Sequence, residues 1–89
     1  MSAVSELDAM GAKIESDWSE MDHEDKTGMV LISAIMVLQG DLLDTAIAFK
    51  VFDLARADGL DAPKTRSFAE FREIIVAAEA ELDKESEEV

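Results

Sequence analysis

Glu20 and His23 stand three residues apart, the Glu-x-x-His spacing with which di-metal carboxylate bundles hold an ion from one helix face. Such a centre takes two of these pairs and two further glutamates, whereas this chain has one histidine, so the pair alone predicts no metal site. Catalytic parts are equally scarce. There is no cysteine to serve as nucleophile, thiolate ligand or disulfide partner. No glycine-rich phosphate loop is present, and the serines and threonines have only His23, set among acids, to act as a base. The reading is a non-enzyme with no catalytic residue, metal site or cofactor.

The stretch Ala48-Phe49-Lys50-Val51-Phe52-Asp53, followed by Phe68-Ala69-Glu70-Phe71, resembles the entering helix and loop end of a calcium-binding EF-hand. An EF loop needs oxygen ligands at alternate early positions, a glycine at the sixth and a glutamate at the twelfth. Counting back from Glu70, the first, third, fifth and sixth positions are Gly59, Asp61, Pro63 and Lys64, of which Asp61 alone could ligate. The pattern therefore predicts a helix pair joined by a polar loop, without bound calcium.

Charge is the stronger signal. Twenty-one acidic and eight basic side chains give the 89-residue chain a net charge of −13, which disfavours phosphate backbones and anionic lipid and favours a basic protein surface. Residues 1–25 hold eight acids and one base, residues 79–89 six acids and one base, and the middle is nearly neutral. Adaptation to a saline habitat would spread acids over the whole surface instead. The longest apolar run, Met29 to Leu38, is too short to span a bilayer. The first ten residues carry acids and no basic region, unlike a secretory signal, so the expected location is cytoplasmic.

The elements that must carry these residues are helical. Val4, Leu7, Gly11, Ile14, Trp18 and Met21 alternate spacings of three and four, predicting a helix over about 3–21 with Trp18 as its core anchor. Asp22, Glu24 and Asp25 suit the start of a second helix over 22–39, which Gly40 ends through its freedom at positive φ. Asp41 caps a third helix over 42–57, closed by Gly59 with Leu60 packing back. Ser67 and Glu70 form a capping box for a fourth helix over 68–82, with Phe68, Phe71, Ile75, Ala78 and Leu82 as its stripe. The expected fold is all-α: one helical domain over 1–82 and an acidic, frayed, disordered tail over 83–89.

Two functions follow from this organisation. In the first, the acids beside the first helical stripe bind a partner protein's basic surface. Asp8, Glu15 and Asp22 line one side, and Asp17, Glu20 and Glu24 the other. Such rows would act as a nucleic-acid mimic of the kind seen in small acidic phage-type inhibitors of nucleic-acid machinery, a likeness of size and charge alone. In the alternative, the chain is a helical adaptor or assembly chaperone that binds through apolar flanks, with acidity serving solubility or a saline habitat. The second helix is apolar nearly all round and three amphipathic helices barely enclose it. Leu42, Phe49 and Phe52 form a further flank, either available to a homodimer or a docking partner or taken up in a monomeric core that uses both flanks of the third helix.

Overall fold

Asp22 Oδ1 accepts the backbone N–H of Asp25 at 2.8 Å, and Asp41 Oδ1 accepts that of Asp44 at 3.0 Å. Each carboxylate satisfies a donor of a first helical turn that has no partner within the helix. In the computed structural model, which describes residues 3–88 and their side chains from 4 to 84, four helices result: α1 Ala3–Glu20, α2 His23–Gln39, α3 Leu42–Ala57 and α4 Phe68–Glu88. No strand occurs among the described residues. The fold is a small all-α bundle.

The stops are chemically distinct. Gly40 ends α2 at φ −85°, so the positive φ expected there is absent. Glycine is required by crowding: a Cβ would stand 2.5 Å from Asp44 Cβ and 2.6 Å from the Met36 carbonyl oxygen. Gly59 does adopt φ +80°. Its N–H bonds the Arg56 carbonyl at 3.1 Å and that of Leu60 bonds the Ala55 carbonyl at 2.9 Å, a Schellman closure that folds Leu60 back onto Trp18, Val51 and Ala55. The capping box forms as well, with the Glu70 N–H on Ser67 Oγ at 3.1 Å and the Ser67 N–H on Glu70 Oε1 at 3.3 Å. Asp53 reinforces this turn from α3, accepting the Phe68 N–H at 2.8 Å while pairing with Arg56, which also donates to the Pro63 carbonyl.

The central helix is α3, which packs against α1, α2 and α4, while α1 also packs against α4. Ala46, Ala48, Val51, Phe52 and Ala55 are almost completely buried, and Phe49 meets Phe71 edge-on with ring centroids 5.2 Å apart. Three alanines make α3 thin enough for helices to approach on several sides, so it takes the middle despite α2 having the longer apolar run. Gly11 serves the same end on α1, where the Phe68 ring lies only 3.0 Å from the position a Cβ would occupy. Leu7 and Trp18 complete the buried part of the α1 stripe.

On α4 the stripe is half used. Phe68, Phe71 and Ile75 pack on the core, but Ala78 and Leu82 are exposed, contrary to expectation. The helix runs past Leu82 to Glu88. Side chains from residue 85 onward lie outside the described residues, and with them most of the acidic tail expected over 83–89.

Candidate interaction surface on α2

The inward side of α2 presents Val30, Ser33, Ala34 and Val37 to the core, at the spacing of one helical stripe. Its outward side carries the larger aliphatics: Leu31 is 61% exposed, Ile32 55%, Ile35 52% and Leu38 85%, with Leu42 of α3 68% exposed just beyond the break. The size order is inverted relative to a helix that meets only solvent on its far side. The Ser33 hydroxyl is buried with no hydrogen-bond partner among the described residues, so a polar atom points inward while Leu and Ile point out.

Two shallow depressions lie along this helix and share Ile32. One is lined by Met21, Glu24, Asp25, Gly28 and Met29, the other by Ile35, Met36, Gln39, Gly40 and Asp44. Between Thr27 and Gly40 the chain has no charged side chain. The surface is therefore an apolar strip with carboxylates at both ends.

The apolar flank expected from Leu42, Phe49 and Phe52 does not exist as a surface. Phe49 is 8% exposed and Phe52 1%, both enclosed by α1, α2 and α4, so only Leu42 remains outside. Helical spacing identifies these rings as a second apolar side of α3 and leaves interface and core both open; the central position of α3 buries both sides, which is the core alternative.

The six acids expected to recognise a basic partner divide by what they touch. Asp8 binds the Arg72 guanidinium through both oxygens, at 2.7 and 2.9 Å, joining α1 to α4; these bonds hold its carboxyl below the ordinary carboxylate range. Glu15 pairs with Lys50 at 3.2 Å, and Lys50 lies over the Phe68 ring at 5.4 Å. Asp22 caps α2. Asp17, Glu20 and Glu24 are exposed and have no ion pair or side-chain hydrogen bond among the described residues. The two continuous rows are also interrupted, because α1 ends at Glu20 and places Asp22 and Glu24 with α2.

The same break separates Glu20 from His23, the last residue of α1 and the first of α2, so they do not share a helix face. Among the described residues no cluster of three His, Cys, Asp or Glu side chains could hold a metal ion, and Asp61 stands exposed in the α3–α4 loop. Among these residues, too, no helix is long and apolar enough to cross a membrane.

A polar cluster missed by spacing alone ties three helices together. Asp58, directly after α3, accepts from Trp18 Nε1 at 2.9 Å and from Lys26 Nζ at 2.8 Å, with the ammonium 5.4 Å from the Trp18 ring centroid. Trp18 is 4% exposed, as expected of a core anchor.

No protein-family model, curated protein or solved structure matches the chain.

Proposed function

We propose that this chain is a non-enzymatic interaction protein that docks a partner protein against the outward face of α2, as an adaptor or assembly factor would. The observation that carries this reading is the size inversion of α2, with Leu31, Ile32, Ile35 and Leu38 outside and Ser33 and Ala34 inside. Covering half-exposed Leu and Ile side chains stabilises a complex by on the order of 1 kcal/mol each, and such apolar strips on small domains mark interaction sites. The net charge of −13 then selects partners, admitting basic surfaces and repelling phosphate and anionic lipid.

A second reading, in which acids alone bind a basic groove as a nucleic-acid mimic, draws on the exposed and unpaired Asp17, Glu20 and Glu24. It has fewer residues to work with than composition indicates, because Asp8, Glu15 and Asp22 already serve contacts within the fold.

Affinity capture from the native cell with wild type, Ile35→Asp and the triple variant Asp17→Asn, Glu20→Gln, Glu24→Gln separates the two. Docking through α2 predicts a protein retained by wild type through a high-salt wash and lost with Ile35→Asp. A partner lost with the triple variant and with salt, but kept by Ile35→Asp, would install the mimic reading in its place.

A further inference from the structure

We infer that the groove along α2 receives an amphipathic helix of a partner protein that carries basic residues at both ends of its apolar stripe. This deepens the docking reading above and rests on it. The two depressions form one track because both include Ile32, and its floor is apolar from Gly28 to Met36. At Gly28 a Cβ would meet nothing within 4 Å, so the track has an open notch where a partner side chain reaches backbone. A helix laid in such a track places residues at i, i+3, i+4 and i+7 against it.

Charge decides what lies at the ends of that helix. Glu24 and Asp25 line one end of the track and Asp44 the other, with the exposed Asp41 beside it. None of these four carboxylates has a basic partner among the described residues. From Glu24 to Gly40 the helix rises roughly 24 Å, so the matching partner places its Lys or Arg about 16 helical positions apart. Because both ends are acidic, complementarity holds whichever way the partner helix runs.

A second copy of this chain fits the same track poorly. Packed antiparallel, the Glu24 and Asp25 end of one copy meets the Asp41 and Asp44 end of the other; packed parallel, each acidic end meets itself. Either arrangement sets carboxylates against carboxylates at both ends, between chains of net charge −13.

The test uses two synthetic helical peptides of about 18 residues with the same leucine stripe, one ending in lysines and the other in glutamates. Binding to the full chain is followed by fluorescence anisotropy at low and physiological salt, with sedimentation of the chain alone. The lysine-ended peptide should bind at least about tenfold more tightly, and salt should shrink that preference. Ile35→Asp should abolish binding, whereas Glu24→Gln, Asp25→Asn, Asp41→Asn and Asp44→Asn together should remove the preference and leave the apolar contact. Equal binding of both peptides, still lost in Ile35→Asp, would overturn the basic-ended partner and leave α2 as the docking face. Self-association that depends on Ile35, without peptide binding, would make the second copy the occupant and overturn the inference. Binding indifferent to Ile35→Asp, or no binding by a monomeric chain, would overturn both.

Discussion

Trp18 and Asp58, forty residues apart, are joined by a 2.9 Å hydrogen bond from the indole N–H to a carboxylate oxygen that Lys26 also holds. The Lys26 and Trp18 hydrogen bonds, in that order, keep the Asp58 carboxyl below the ordinary carboxylate range, and Arg72 does the same for Asp8. A carboxyl whose pKa is lowered by folding stabilises the fold above its unfolded value of about 4 and loses that contribution as pH falls through the lower folded value. The melting temperature should therefore hold from neutral pH to about pH 5 and decline below about pH 4. Asp58→Asn with Asp8→Asn should melt lower at neutral pH and show a shallower acid decline, measured by circular dichroism. An acid limb unchanged in the double variant would assign the decline to other carboxylates.

Gly11 and Phe68 set the approach of α1 to α4. Gly11→Ala gains up to about 1 kcal/mol of helix propensity but brings a Cβ to 3.0 Å from the ring, so the two effects should nearly cancel. Gly11→Leu has no such compensation and should cost about 1–3 kcal/mol by overpacking. Denaturant unfolding of both variants checks the contrast. A Gly11→Leu protein as stable as wild type would mean that the ring swings aside without cost.

Ser33 is the one buried side-chain polar atom without a partner among the described residues. Leaving a hydroxyl buried and unpaired costs about 1–3 kcal/mol, and alanine is also the better helix former. Ser33→Ala should accordingly stabilise the protein by on the order of 1 kcal/mol in urea unfolding. Destabilisation would point to a hydrogen bond made through ordered water.

The apolar run predicts Ile35 inside and the second flank of α3 predicts Phe52 at an interface or in the core; the structure leaves Ile35 52% exposed and Phe52 1%, and their substitutions should diverge accordingly. Phe52→Ser opens a hole in the core and should cost about 3–5 kcal/mol, a large share of the roughly 5–15 kcal/mol total of a small domain, so helix content falls with it. Ile35→Asp puts its charge on a half-exposed position and should leave the melting temperature within a few degrees of wild type. Loss of folding in Ile35→Asp would place α2 inside an obligate assembly.

That contrast marks the boundary of what spacing reveals. Helix ends were legible because they are local: Asp41, Gly59 with Leu60, and Ser67 with Glu70 each act within a few residues. The order of packing was not, since it depends on three-dimensional competition for the middle. An apolar count favours α2 as the enclosed helix, but Ala46, Ala48 and Ala55 give α3 the slimmer profile, and α2 is left with its large residues outside. Ion pairs such as Asp8 with Arg72 span the length of the chain and leave no periodic trace.

The acids near α1 offer the sharpest division between fold and recognition. Neutralising them all together confounds two roles, because Asp22 holds the first turn of α2 and Asp8 clasps α4. Asp22→Ala should cost about 1 kcal/mol of stability by removing the cap, whereas Asp22→Asn keeps an accepting oxygen and should cost almost nothing. Asp17→Asn and Glu20→Gln touch no partner in the fold and relieve repulsion in a chain of net charge −13, so together they should leave the melting temperature unchanged or slightly higher. Their effect belongs on association. With the lysine-ended peptide this double variant should show a slower on-rate and a flatter salt dependence, with little change in off-rate, since steering charges act before contact, whereas Glu24 lines the docked track itself. An off-rate raised as strongly as the on-rate is lowered would place Asp17 and Glu20 inside the docked interface instead of along its approach.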